Sequence, residues 1–317
     1  MHDQRMSLTE YLLEEERKVP TSTGSYTHLL TQIAFAGKII ASHIKQAGLT
    51  DILGLTGEKN TYEEEVLKLD TFSNDLLVNT LSASGQVAQI ASEEMAEFYS
   101  PKESTGDYVV FLDPLDGSSN TDIDVTVGSI FSVYLMEDCK PLPKGESLVA
   151  AGYILYGTSV MFVYSCGNGV QGFTLDPSVG DFLLSHPDIQ IPARGDIYSV
   201  NEAQYPLWDE RLQKYIGHIK KNEKVSARYV GSMVADVHRT LLKGGIFLYP
   251  ADKMQPDGKL RLLFEVNPMS YLVRQAGGAS ISVSGDPLSI LPTDLHQRVP
   301  IVLGSMENVM EYREIVL

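Results

Sequence analysis

The spacing of apolar residues divides the chain into alternating helical and strand-like stretches. Ser7-Leu8-Thr9-Glu10 places a hydroxyl three positions before an acid and leads into Tyr11, Leu12 and Leu13, the signature of a capped helix start. Pro20 to Gly24 interrupts it. Leu29, Ile33, Ala36, Ile40 and Ile44 then recur at helical spacing and predict a helix over residues 26–46, closed by Gly48. Residues 54–65 are polar with two glycines and read as a mobile loop. Leu69, Phe72, Leu76 and Leu77 predict a further helix over 66–81. Strand-like runs follow at 87–91, 108–112, 129–136 and 148–155, and at 159–165 with 170–175 as a hairpin around Gly167-Asn168-Gly169. Hairpins of this kind argue against an all-parallel sheet.

The texture changes after Pro187. Strands are predicted at 197–200, 246–249 and 260–264, and helices at 208–219 and 232–242, the latter stopped by Gly244-Gly245. Asn267-Pro268 opens a helix that Gly277-Gly278 ends, with Asn as cap and Pro in the first turn. These elements predict a mixed α/β protein with helices and sheets in layers, and a boundary near residue 190 that divides it into 1–190 and 191–317. There is no internal repeat and no low-complexity tract.

Composition narrows the function. The 317 residues are 43% hydrophobic, enough for a large core. No run approaches the length of a membrane span, and the first residues lack the basic start and apolar core of a secretory leader. Cys139 and Cys166 fit no metal spacing, and a reducing, cytoplasmic compartment is the simplest reading, with a single disulfide as the alternative. A formal charge of −16 repels a phosphate backbone, so neither nucleic acid nor membrane is an expected partner. A small anion is not excluded, because a cation and a few local Lys or Arg residues can reverse the field within one cleft.

The candidate chemistry is acidic. FLDPLDGSSN, residues 111–120, ends an apolar run with Asp113 and Asp116 around a tight turn. Gly117 permits unusual backbone angles, and Ser118-Ser119-Asn120 can present successive N–H groups to an anion. Taken alone, Asp-Pro and Asp-Gly are turn residues. Glu93 and Glu94, however, follow the strand-like run at 87–91, and Glu265 follows the one at 260–264. Each acid alone suits a solvated turn or a helix start. Together, at strand ends that converge on one sheet edge, they can form a hard-oxygen site for Mg2+ next to a phosphate cradle.

With SEE upstream and LLFEVNPM downstream, DPLDGSSN resembles class I fructose-1,6-bisphosphatase. Residues 227–269, SLVAAGYILYG and PTDLHQRVPIVLGS extend the resemblance over nearly the whole chain. D-P-L-D-G alone is shared with the wider lithium-sensitive phosphatases, including inositol monophosphatases. The long match in the second half is specific to the bisphosphatases. The resemblance implies a layered α/β/α/β/α fold with mixed sheets. Its N-terminal, regulatory-type domain carries the DPLDGSS turn, and its C-terminal domain binds the sugar phosphate. It implies Mg2+-dependent hydrolysis of the 1-phosphate of fructose 1,6-bisphosphate, with Mn2+ or Zn2+ as possible substitutes.

The family's metal ligands fall on Glu93, Asp113, the Leu115 carbonyl, Asp116 and Glu265. Its water-activating acid falls on Glu94, assisted by Asp70, and a loop acid falls on Glu64, where the family usually has Asp. Substrate contacts carry over to Asp116, Gly117, Ser118, Ser119, Asn201, Tyr229, Tyr249 and Lys259. Arg228 is expected to reach the other phosphate in a neighbouring subunit of a homotetramer. A second family lysine, near Met254, is absent, with Lys253 the nearest replacement. Without the resemblance, these cations and tyrosines read as surface charge and packing residues.

AMP inhibits animal members from a site near Thr23-Gly24-Ser25-Tyr26-Thr27 and Tyr108. Asp107 and Leu135 stand here where the family has cations, so AMP inhibition is expected to be weak. The plant-type regulatory insertion is missing, which argues against thioredoxin control. The rival readings are a sedoheptulose-1,7-bisphosphatase or dual-specificity enzyme, and an inactive phosphosugar-binding regulator.

Overall fold

A computed structural model of the chain describes residues 6–49, 55–59, 65–102, 104–139 and 142–317. In chain order these form α1 (Leu8–Arg17), α2 (Ser25–Ile44), β1 (Leu55–Lys59), β2 (Glu65–Leu67), α3 (Lys68–Ala83), β3 (Val87–Ser92), β4 (Tyr108–Asp116), β5 (Val127–Leu135), β6 (Ala150–Tyr156), β7 (Val160–Ser165), β8 (Gln171–Asp176) and β9 (Asp181–His186). Then come β10 (Ile197–Ser199), α4 (Glu210–Ile219), β11 (Ser226–Ala227), α5 (Met233–Lys243), β12 (Ile246–Tyr249), α6 (Asn267–Gln275), β13 (Ala279–Ile281), β14 (Ile301–Gly304) and α7 (Met306–Val316). No described helix is long and apolar enough to cross a membrane.

Among the described residues, seven strands form one sheet in the order β3-β4-β5-β6-β7-β8-β9, and five form another in the order β11-β10-β12-β14-β13. In the larger sheet only β3 and β4 run parallel, and the rest is antiparallel, as the hairpins predict. Period-two alternation sends neighbouring side chains to different cores. Val110 packs with Leu29 and Ile33 of α2 and Leu77 of α3, while Phe111 joins Val237 of α5 and Leu272 of α6. In the smaller sheet Phe247 and Leu303 join that same middle core. Ile246 and Val302 face Leu212 and Ile216 of α4 and Val309 of α7. The order is therefore helices, sheet, helices, sheet, helices, the expected α/β/α/β/α layering. The middle core draws on residues from both sides of position 190.

Local chemistry explains the main helix positions. Ser7 and Glu10 form the reciprocal cap, with Ser7 Oγ accepting from Glu10 N at 3.2 Å and Glu10 Oε2 accepting from Ser7 N at 2.8 Å. Gly37 lets α2 lie directly on the sheet, since a Cβ there would sit 2.2 Å from Ile154 Cδ1 on β6.

Several expectations are corrected. Residues 260–264 are not a strand. Leu262–Val266 is a π-helical turn running into α6, and one isolated bridge joins Arg261 to Arg298. Its apolar residues are buried all round, so a short continuous run carries no period to separate strand from buried helix. The stretch expected as a loop contains β1, which pairs antiparallel with β2; residues 60–64 of it, including Glu64, lie outside the described residues. β4 does not stop at Asp113 but continues through Asp116, with its register broken between the two where Pro114 has no N–H to donate. The helix expected from 208 starts at Glu210, because Asp209 caps it by accepting from Leu212 N at 2.8 Å. β9, β11, β13, β14 and α7 have no counterpart among the elements that the apolar pattern predicts.

Candidate active site

β3 and β4 run parallel, so their carboxyl ends share one edge of the sheet. Glu93 and Glu94 leave the end of β3, and the Glu93 N–H donates to Leu112 O at 2.9 Å. Asp113 and Asp116 lie on β4, and the π-helical turn brings Glu265 to them from the second half of the chain. One oxygen from each of Asp113, Asp116 and Glu265 lies within 4.8 Å of the other two, and all three residues are buried. The acids at the ends of three apolar runs thus line one cleft, but the run that delivers Glu265 is a π-helical turn and not the expected strand.

Such a cluster cannot carry three charges without compensation. Burial and the neighbouring carboxylates Glu93, Asp116 and Glu265 hold the Asp113 carboxyl well above the usual range. Burial, with the Glu93 charge next, does the same to Glu265. Asp116 is pushed only to about 6, because hydrogen bonds from the start of α5 oppose its burial. Its Oδ2 accepts from Ser232 Oγ at 2.6 Å and Val234 N at 2.8 Å, and its Oδ1 from Met233 N at 3.1 Å. Asp113 Oδ1 accepts from Leu115 N at 3.1 Å, and Glu265 Oε2 from Arg261 N at 2.6 Å. Hard carboxylate oxygens, buried and mutually repelling, fit a divalent cation.

The turn after Asp116 needs its glycine. Gly117 has φ +77°, and a Cβ there would lie 2.6 Å from Ser232 Cβ. Ser118 to Ile123 then forms a 3-10 helix. Asp70, in the first turn of α3, faces the same space, and burial together with the Glu94 charge raises its carboxyl to about 8. Tyr229, Tyr249 and Lys259 complete a cleft of about 340 Å³. The phenol of Tyr249 is pushed upward by burial and stays a hydrogen-bond donor at neutral pH.

Of the predicted residues, Asp70, Glu93, Glu94, Asp113, Leu115, Asp116, Gly117, Ser118, Ser119, Tyr229, Tyr249, Lys259 and Glu265 line this one cleft. Asn201 lies in an adjoining cleft of about 290 Å³ that shares Tyr249 and Lys259 with the first, and its Oδ1 accepts from Ala203 N at 3.2 Å. Met254 lines that second cleft and is exposed. Arg228 lines neither; it is exposed, and its guanidinium donates to Ala227 O at 2.8 Å. Glu64 lies outside the described residues.

Sequence reading missed Arg261, Ser232 and Asp236. Arg261 is buried and forms a salt bridge with Glu93. Its position four residues before Glu265 was the available signal. Ser232 was legible as a helix cap, but nothing in the sequence pairs it with Asp116, 116 positions away.

The region matched to the AMP site borders a separate cavity of about 540 Å³, lined among others by Thr23, Tyr26, Thr27 and Tyr108. Glu16 enters it, and its Oε2 accepts from Thr27 Oγ1 at 2.6 Å.

A carboxylate cage beside a glycine-serine turn, set between two mixed sheets with helices on every face, is the architecture of a cation-assisted sugar phosphatase. Family models confirm the class in detail. "Fructose-1-6-bisphosphatase, N-terminal domain" matches residues 6–187, and "Fructose-1-6-bisphosphatase, C-terminal domain" matches residues 191–316. The chain belongs to the class I fructose-1,6-bisphosphatase family. It is 51% identical to the fructose-1,6-bisphosphatase class 1 of Persephonella marina, covering 100% of both chains. It is 48% identical to a cytosolic fructose-1,6-bisphosphatase of Arabidopsis thaliana, over 97% of this chain and 94% of that one. The holo crystal structure of Leishmania major fructose-1,6-bisphosphatase superposes with a TM-score of 0.93 at 41% identity, covering 98% of each chain.

Proposed function

We propose that this chain hydrolyses the 1-phosphate of fructose 1,6-bisphosphate to fructose 6-phosphate and inorganic phosphate, with Mg2+ held by Asp113, Asp116, Glu265, Glu93 and the Leu115 carbonyl. The gathering of three buried carboxylates from distant parts of the chain carries the reading. Its family membership and near full-length relatives of that name support it. A bound divalent cation would neutralise charge that develops on the transferring phosphoryl group.

The protein's own groups do the rest. Gly117, Ser118 and Ser119 offer N–H and hydroxyl donors to the reacting phosphoryl oxygens. Glu94 accepts the proton of the attacking water, and Asp70, titrating at about 8, holds or relays it. Glu64 is assigned to the same acid set. Tyr229, Tyr249, Lys259 and Asn201 bind the remote phosphate and sugar, and that binding energy favours the reaction at the 1-position. Arg228, exposed and lining neither of the two clefts described, suits a role in a neighbouring subunit of a homotetramer. A cytoplasmic setting follows the cytosolic plant relatives.

The test is phosphate release from fructose 1,6-bisphosphate, sedoheptulose 1,7-bisphosphate and inositol monophosphate, with Mg2+ and with chelator, beside Asp116→Asn. Turnover is expected to be fastest on the fructose substrate and abolished by chelation and by the substitution. Equal or faster turnover of the sedoheptulose substrate would move the assignment to that sugar. No release from any substrate would leave a binding protein instead.

A further inference from the structure

The segment Arg228–Gly231 carries Tyr229 from β11 into α5, and its backbone is hydrogen-bonded on both sides of Tyr229. Arg228 N donates to Tyr198 O on β10 at 2.9 Å. Arg239 Nη2 donates to Arg228 O at 2.7 Å and to Asp236 Oδ1 at 2.6 Å. The Asp236 carboxylate accepts from Val230 N at 3.0 and 3.1 Å and from Gly231 N at 3.1 Å. Val230 O accepts from Asn120 Nδ2 at 3.3 Å, which joins the segment to the turn that follows Asp116.

Asp236 is 0% exposed, although an acid in a helix's first turn gains from the dipole without being buried. Burying a carboxylate is costly unless its oxygens are fully bonded. Here they are spent on the N–H groups of one loop and on one guanidinium, which itself reaches back to that loop. Helix α5 therefore serves two ends of the cleft at once. Ser232, Met233 and Val234 hold Asp116 of the cage, and one turn later Asp236 holds the loop bearing Tyr229.

We propose that Asp236, with Arg239, is a positioning residue that fixes Tyr229 at a set distance from the carboxylate cage, and so selects substrates with a second phosphate at that distance. The proposal rests on the reading of Tyr229 as a ligand of the remote phosphate. Neither Asp236 nor Arg239 takes part in the chemical step.

The experiment measures kcat and KM of Asp236→Asn, Arg239→Gln and Tyr229→Phe on fructose 1,6-bisphosphate and on fructose 1-phosphate, which lacks the second phosphate. Asp236→Asn is expected to raise KM for the bisphosphate about 10-fold with kcat within about twofold, and to leave kcat/KM for fructose 1-phosphate nearly unchanged. Arg239→Gln should shift the same ratio in the same direction, and it supplies the answer if Asp236→Asn does not fold. Equal losses on both substrates would overturn the proposal, since a general structural role acts on both alike. If Tyr229→Phe abolishes the preference for the bisphosphate while the other two variants keep it, positioning fails and the reading of Tyr229 stands. If Tyr229→Phe keeps the preference, that reading fails and the proposal falls with it.

Discussion

Arg261 holds Glu93 in a salt bridge at the edge of the carboxylate cage, joining residues 168 positions apart. The guanidinium also lies four residues before Glu265, whose carboxylate accepts the Arg261 backbone N–H. A permanent cation thus sits where a divalent ion would recruit the same Glu93 carboxylate.

Arg261→Met should therefore change cation binding in a specific direction. Without the competing guanidinium, Glu93 is left with uncompensated charge beside three other acids. Thermal unfolding with and without Mg2+ should show a lower Tm for the metal-free variant and a larger rise on adding the ion than in the parent protein. An unchanged Mg2+ response would mean that the pair is only structural.

The stabilisation by Mg2+ should grow with pH. Asp113, Asp116 and Glu265 have folded pKa values above their unfolded values, Asp116 at about 6. In the metal-free protein they stabilise the fold at low pH, and that contribution is lost as pH rises from the ordinary carboxylate range through 6 and beyond. Cation binding needs the ionised forms and offsets this loss. Melting curves at pH 5 and pH 8 should show a clearly greater Mg2+-induced shift at pH 8.

Ser232→Ala removes both the cap of α5 and the hydroxyl bonded to Asp116 at 2.6 Å. Chemical denaturation should show a loss of about 1–2 kcal/mol. The Asp116 carboxyl should rise further, since one of the bonds holding it down is gone, and the acid limb of the rate profile should move to higher pH.

AMP should inhibit weakly. Glu16 lies beside the N-terminus of α2, 3.5 Å from where a Cβ on Gly24 would sit, and its carboxylate already accepts the Thr27 hydroxyl. A fixed negative charge at a helix N-terminus occupies the place and the dipole that a phosphate would use. An AMP titration of phosphate release should give half-inhibition well above the micromolar range, and Glu16→Ala should lower it. Micromolar inhibition of the parent protein would refute this.

The helices, most strands and the acidic side of the cleft were legible because each depends on local pattern, whereas the α/β/α/β/α order, Asp70, Tyr229, Tyr249 and Lys259 came from the family resemblance alone. Alternation marked the strands, caps and glycines marked the helices, and Asp113, Asp116, Glu93 and Glu94 stand at the ends of recognisable apolar runs. What could not be read was what one half of the chain does to the other. The Ser232–Asp116 and Arg261–Glu93 bonds join side chains whose separation leaves no period or motif. The misassigned run before Glu265 is fully buried, and full burial erases the polar-apolar rhythm that tells a strand from a helix.

The π-helical turn at Leu262–Val266 has a consequence for how this segment can vary. Both Glu265 N and Val266 N donate to Arg261 O at 3.1 Å, so the turn is wound one residue wider than an ordinary helix. Each residue of a regular helix rotates its side chain by about 100°. Shortening the run by one would swing the Glu265 carboxylate away from Asp113 and Asp116 and towards the packing that Phe264 now fills. The number of residues between Arg261 and Asn267 therefore matters to the cage as much as the presence of Glu265 itself.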